Sequence, residues 1–516
     1  MNIVFRVDAS LTIGSGHVMR CLALAECLRV QGHDCLFLCR DHPGNRIDLI
    51  RTRGFDLVPL SNSGYEPEPA PNHSHGLKHN SWLHVSWETD VTQVHNVLEG
   101  KEVDWLVVDH YGLDVRWESE VRPLCKHILV IDDLADRDHD CDVLVDQNYQ
   151  QTNTRYVGRT PSVCAHLIGP KYALLGAEYR DLHSQVKLRA GKVNRVLVYF
   201  GGADVNDITS LVFRALKAHH LDPIQVDVVV DSKQPNARGV QKLVSGEPNF
   251  TLHMDIPTLS DLMMEADLAI GAAGVSSWER CCLGLPTLVI SLAENQKLVA
   301  HELHTGKYIS WLGHIDELSL VEISRQISRF LVLGITESWS RRCWELVDGR
   351  GVERLAFILS AGPESKLEAR LATWEDEETL LDWANDPVVR RHAFDQSSIT
   401  AEEHVKWLRE IFANPETKKL FMVQSTIGVP LGQVRFDKQG MGWEISYALD
   451  RKFRNRGLGA NFLSSAISSM GQDLDMAPLF GRVKIENVAS IRVFEKLGFQ
   501  RVDDGESQIT FMRESG

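Results

Sequence analysis

Apolar and polar positions along the first 150 residues follow two rhythms. Short apolar runs, "NIVFRV", "CLFLC", "DWLVVD", "ILVIDD" and "DVLVDQ", have the length of buried strands. Between them apolar residues recur at helical spacing, as Leu22, Leu24, Ala25 and Leu28 do after Met19. Such alternation predicts βαβ units around a parallel sheet. A second block of the same kind starts near Asn194, with "RVLVYFGG", "IQVDVVVD", "FTLHMD", "DLAIGAAG" and "PTLVISL". The join is the polar helical stretch that runs to Gly191. After "ILSAGPESKLEAR" the rhythm changes. Gly362-Pro363 punctuate a linker, and helices then precede the strands "FMVQST", "LGQVRFD", "GWEISYALD" and "FGRVKIEN", as in an α+β domain. The expected domains are therefore residues 1–175 and 190–355, two α/β domains facing each other across a cleft, and 367–513.

Composition narrows the function classes. Among 516 residues, 43% are hydrophobic and 24% charged, as in an ordinary globular protein, and the length asks for more than one core. A net charge of −15 argues against a nucleic-acid partner, which needs a basic face, but leaves room for small anionic ligands in a local pocket. The ten cysteines show no CxxC spacing and the start lacks a signal-peptide pattern, so reduced thiols in a cytoplasmic protein are expected. No uncharged run approaches the roughly 20 residues of a membrane span. The stretch "EPEPAPNHSHGLKHNSWLH" reads as a solvated surface loop. Its His73, His75, His79 and His84 lack metal-ligand spacing and a Cys or Asp partner, so no metal is predicted.

Polar residues cluster where strands end. In "RVDASLTIGSGHVMRCLALAECL", Gly14 and Gly16 allow a sharp turn after the first strand, and His17 falls at the mouth of the next helix. The helix dipole disfavours an imidazolium there, leaving an imidazole able to accept a proton; a capping or packing role is the plainer alternative. Met19 stands where a dinucleotide fingerprint needs its third glycine. "VDHYGLD" places Asp109, His110 and Tyr111 after another strand. "GAAGVSSWERCC" places Gly274, Ser276 and Glu279 at a helix start, and "SLAENQ" places Glu294, Asn295 and Gln296 after a third strand. All face the predicted cleft.

These motifs, with "IDDLADRDHDCDVLVDQN", "GPKYALL" and "YFGGADVND", resemble the UDP-sugar hydrolases of pseudaminic acid synthesis over roughly residues 1–355. Those enzymes remove UDP from UDP-2,4-diacetamido-2,4,6-trideoxy-β-L-altropyranose. The resemblance implies two Rossmann-like domains in a glycosyltransferase-B-like arrangement and an inverting hydrolysis with C–O cleavage. UDP is already a good leaving anion, so the acid that most glycosidases use can be absent. What remains is a base, for which His17 is suited, and helix N-termini and glycine-rich loops that stabilise the departing pyrophosphate. The resemblance further implies that Asp8 orients His17 or binds sugar, and that Tyr111 and Asn295 position sugar and water. It gives substrate contacts to Arg6, Gly14, Gly16, Gly201, Gly202, Gly274, Ser276, Glu279 and Gln296, with Glu279 on the ribose. Alternatives are a turn-forming Asp8, a half-buried loop Tyr111, a helix-capping Asn295, and a capping box joining Ser276 to Glu279.

In the third region "DRKFRNRGLGANFL" sets Arg454, Asn455, Arg456, Gly457, Leu458 and Gly459 between a strand and an amphipathic helix, where backbone amides can cradle a pyrophosphate. "VKIENVASIRVFEKLGF" follows, with Asn487 after a strand and Gly498-Phe499 after a helix. The pair is similar to the GNAT acetyltransferases and implies acetyl-CoA as co-substrate, bound by residues 454–459 and Asn487. Phe494 stands where many members carry a tyrosine that protonates the leaving thiolate; Glu444 is a candidate base or a plain surface carboxylate. Together the resemblances imply two successive steps on one chain, N-acetylation of a UDP-4-amino-sugar and then loss of UDP. A UDP-sugar glycosyltransferase fused to a protein N-terminal acetyltransferase, or a non-catalytic nucleotide-sugar sensor, are the other readings.

Overall fold

A parallel sheet covered on both faces has no wet side, so its strands are apolar throughout, and the continuous runs of the N-terminal half behave this way. β1 (Asn2–Val7), β2 (Asp34–Arg40), β3 (Asp56–Leu60), β4 (Trp105–Asp109), β5 (His127–Ile131), β6 (Val143–Asp146) and β7 (Ala165–Ile168) form one sheet. They are all parallel, in the order β3-β2-β1-β4-β5-β6-β7. The structure, a computed structural model, describes residues 1–62, 77–150, 154–201, 204, 206–219, 224–393, 395–440, 442–471, 477–505 and 507–514. Helices α1 (Gly16–Val30), α2 (Ile47–Thr52), α3 (Trp87–Leu98) and α4 (Val115–Val121) connect the strands. β3 and β7, short edge strands with polar or proline interruptions, escape the sequence reading.

After α5 (Ala177–His183) a second sheet repeats the plan. Its strands are β8 (Arg195–Tyr199), β9 (Gln225–Val230), β10 (Phe250–Met254), β11 (Leu268–Gly271), β12 (Thr287–Ser291) and β13 (Ser310–His314), parallel in the order β10-β9-β8-β11-β12-β13. Helices α6 (Ile208–Lys217), α7 (Ala237–Val244), α8 (Ser260–Glu265), α9 (Ser276–Cys282) and α10 (Glu294–Thr305) alternate with them. Helices α11 (Leu320–Leu333), α12 (Glu337–Leu346) and α13 (Gly351–Ser360) follow. Ala173, Leu175 and Tyr179 already belong to this second core, so the chain changes sheet before α5 begins.

Residues 1–356 make one compact unit and 357–516 another. The second is built on β14 (Leu367–Leu371), β15 (Lys418–Ser425), β16 (Pro430–Gln439), β17 (Gly442–Leu449), β18 (Leu479–Lys484), β19 (Gln500–Asp504) and β20 (Gln508–Arg513). Its helices are α14 (Glu377–Ala384), α15 (Pro387–His392), α16 (Ala401–Ala413), α17 (Gly459–Ser468) and α18 (Val488–Lys496). β14 to β17 are antiparallel, whereas β17 and β18 run parallel and pair only at Trp443–Leu479 and Glu444–Phe480, after which they separate. Among the described residues no helix is long and apolar enough to cross a membrane.

Candidate active site

In the first sheet the chain winds outward from β1 to β3, then returns to the other side of β1 as β4. Loops leaving β1 and β4 therefore part in opposite directions and open a crevice at their C-terminal ends. His17 lies in the first turn of α1, just past the Gly14 turn (φ 80°). Arg20, three residues on, shares its helix face. Both reach Asp109 at the end of β4: His17 Nδ1 lies 2.5 Å from Asp109 Oδ1, and Arg20 donates to both carboxylate oxygens at 2.6 Å. A carboxylate only accepts, so Nδ1 donates to Asp109, and in a neutral ring the free lone pair is then on Nε2. Burial works against the Asp109 charge, but Arg20 and His17 outweigh it and hold the carboxyl well below its usual range. Arg20 also bonds Asp133 at 3.0 Å, and Asp133 in turn accepts from the Tyr111 hydroxyl. The Tyr111 ring stands edge-on to His17, with centroids 4.6 Å apart.

Asp8 does not orient His17. It is fully buried beneath the crevice, paired with Arg6 at 2.7 Å and accepting the Arg40 amide at 2.6 Å. Arg6 is equally buried and also holds Asp90. The physical reason is register: β1 pairs beside β4, which puts Asp109 rather than Asp8 under the first turn of α1. His110, beside Asp8, is pushed by burial down to about 3.

The second sheet has the same switch between β8 and β11, where Gly201 (φ 92°) and the Gly271–Gly274 turn lie. Gly202 lies outside the described residues. A β-carbon on Gly16 would stand 3.3 Å from Val275 Cγ2, so the two glycine-bearing turns meet across the cleft, and Arg46 bridges to Asp231 at 2.7 Å. No capping box forms between Ser276 and Glu279: Val275 holds the N-cap position, without a side-chain cap bond. Ser276 Oγ instead receives Arg280 at 3.2 Å. Burial pushes the Glu279 carboxyl up to about 7, against the pull of Arg280. Asn295 is exposed on the first turn of α10, whose N-cap is Ala293, and Gln296 Oε1 accepts the Leu292 amide at 2.9 Å.

In the C-terminal unit the parting ends of β17 and β18 are each followed by a turn and a helix. Asn455 (φ 60°) and Gly457 (φ 73°) are left-handed, a backbone alternation that turns successive N–H groups to one side and suits an anion such as a pyrophosphate. A β-carbon on Gly459 would fall 2.6 Å from Val493, so glycine lets α17 pack on α18. Leu458 is buried. The expected side chains are occupied elsewhere: Arg454 bonds Leu449 O and Asp386, Arg456 bonds Ile358 O, and Asn487 caps α18 by accepting the Ser490 amide at 3.1 Å. Phe494 is buried, stacked on Phe511 at 5.3 Å, and Glu444 is paired with Arg482.

Residues 366–500 match the acetyltransferase (GNAT) domain family. The C-terminal unit carries a GNAT domain. The chain is 26% identical over 301 residues, 58% of its length and 95% of the relative's, to the UDP-2,4-diacetamido-2,4,6-trideoxy-β-L-altropyranose hydrolase of Campylobacter jejuni. An uncharacterized protein of Methanocaldococcus jannaschii is 21% identical and aligns over 98% of both chains, so it spans the GNAT domain and the α/β unit together. Among solved structures, Acinetobacter baumannii MurG superposes with a TM-score of 0.47 at 13% identity, covering 69% of this chain and 99% of that one.

Sequence reasoning passed over Arg20 and Asp133 and gave Asp109 no role. The His17-x-x-Arg20 spacing, two ligating residues on one helix face, was the signal for the first; only strand order reveals the other two. It also placed His79 and His84 in a solvated loop. Residues 80–83 instead form a short 3-10 turn that buries Leu83, and His79 and Trp82 pack beside Tyr111. His73 and His75 lie outside the described residues.

Proposed function

We propose that residues 1–356 hydrolyse a UDP-activated 2,4-diacetamido-2,4,6-trideoxyhexose of pseudaminic acid synthesis, and that the GNAT domain acetylates the 4-amino precursor with acetyl-CoA. The observation that carries this reading is the His17–Asp109–Arg20 cluster at the switch point of the first sheet. Asp109 fixes the ring through Nδ1, so His17 Nε2 takes a proton from water as the water oxygen bonds to the anomeric carbon. The bond from that carbon to the UDP oxygen breaks on the opposite face, inverting the centre, and UDP leaves as an anion. Turn amides around Gly14–Gly16 and Gly271–Gly274 receive the diphosphate. Glu279 accepts from the ribose hydroxyls, and Tyr111 and Asn295 flank sugar and water. In the GNAT domain the amine nitrogen attacks the thioester carbonyl, the C–S bond breaks, and the thiolate departs with a proton. Acetyl-CoA supplies the acyl group, and the Arg454–Gly459 turn holds its pyrophosphate.

The test is product analysis by mass spectrometry and NMR with the UDP-4-amino-sugar and acetyl-CoA together. The expected products are UDP, CoA and the free diacetamido sugar. His17→Ala is expected to stop at the acetylated UDP-sugar while binding acetyl-CoA normally. Near-normal UDP release from that variant would remove His17 as the base, and a protein that keeps UDP on the sugar until a second acceptor is added is a glycosyltransferase.

A further inference from the structure

The turn before α3 carries two neighbours with opposite fates. Leu83 is fully buried and part of the core beneath the first sheet, whereas Trp82 is half-exposed and lies outside that core. Its ring stacks beside Tyr111, with centroids 5.5 Å apart and planes at 27°, and stands edge-on to His17 at 6.3 Å and 87°. His79 closes the group, 4.4 Å from Trp82 and 5.5 Å from Tyr111. Gly112 makes room for the turn: a β-carbon there would meet the His79 carbonyl at 2.9 Å. Asp133 ties down the Tyr111 hydroxyl, so the wall has a fixed base. Burial lowers the His79 pKa, which disfavours a charge on that ring.

An aromatic ring half-open to a crevice, beside the base that acts at the anomeric carbon, suits the apolar C–H face of a sugar and its methyl substituents. We propose that Trp82, backed by the buried Tyr111 ring, is the platform for the sugar half of the substrate. This rests on the nucleotide-sugar reading above, and adds to it a residue from the segment between β3 and α3.

Wild type, Trp82→Ala and Trp82→Phe are to be compared for UDP release from UDP-2,4-diacetamido-2,4,6-trideoxyhexose, with free UDP as competitive inhibitor. Loss of the platform is expected to lower kcat/KM by about tenfold in Trp82→Ala, mostly through KM. The inhibition constant of UDP stays put, and Trp82→Phe recovers most of the loss. Unchanged kcat/KM in Trp82→Ala overturns the proposal. So does a parallel weakening of UDP, which would mark Trp82 as merely structural, or a phenylalanine no better than alanine. If the wild type binds UDP but releases none, the hydrolytic reading fails by itself. UDP-sugar binding by the three proteins then decides the platform on the same criteria.

Discussion

At the scale of single residues, the chemistry proposed for the first unit turns on which carboxylate holds His17. Asp109 is buried, shared between His17 and Arg20, and kept ionised by them. Asparagine in its place keeps the shape, but its amide nitrogen can face Nδ1 and favour the other tautomer, which puts the proton on Nε2. Asp109→Asn is therefore expected to lower kcat for UDP release about 10²–10⁴-fold, the usual worth of a positioned acid or base. KM should change little, and initial-rate assays at saturating UDP-sugar read the effect directly. A variant within threefold of wild type would show that His17 needs no partner. Glu279 was legible as a first-turn residue of α9, but its half-buried state was not, because burial depends on α5 lying alongside.

At the scale of elements, the two units solve the same problem in different ways. In the first, neighbouring parallel strands part because the chain reverses its winding; in the GNAT domain, β17 and β18 part because they pair over only two residues. Each opening is followed by a turn with left-handed backbone and then a helix. Gly457 combines φ 73° with a β-carbon position 2.9 Å from Pro363 Cγ, so a branched side chain there is opposed twice. Gly457→Val is expected to cost about 1–3 kcal/mol in the stability of the GNAT domain and to abolish acetyl-CoA binding. Calorimetric titration with acetyl-CoA measures the loss, and UDP release from the acetylated sugar should remain at the wild-type rate. The turn was legible from glycine spacing between a strand and a helix. That Arg454 bonds Asp386 and Arg456 bonds Ile358 was not, since those partners lie on other segments.

For the molecule as a whole, stability of residues 1–356 is coupled to pH through a buried cluster around His139 and Asp146. Burial opposes charge on His139, yet Glu118 at 2.7 Å and Asp132 at 3.7 Å outweigh it and raise the ring to about 9. Because the folded value lies above the ordinary one of about 6.5, this stabilisation is complete below pH 6.5 and is lost as pH climbs through 9. Asp146, pushed by burial and Asp133 up to about 8, acts in the same direction: the unfolded chain ionises it first, so stability falls as pH rises from about 4 to 8. Thermal unfolding is expected to show a falling midpoint between pH 6.5 and 9, and His139→Gln should flatten that part of the curve. A slope unchanged in the variant would place the linkage elsewhere.

The sequence by itself determined the elements and their turns: apolar runs became parallel strands, glycine spacing marked the loops, and His17 fell at a helix start as its local pattern required. These are properties of a few consecutive residues, fixed by burial and backbone sterics. Tertiary structure alone decided that Asp109, 92 residues away, meets His17 while Asp8, nine residues away, does not. It also decided that Trp82 stands beside Tyr111 rather than in a solvated loop. Both outcomes follow from strand order, because the neighbour of β1 is chosen by how the whole sheet buries its two faces, which no local stretch of sequence encodes.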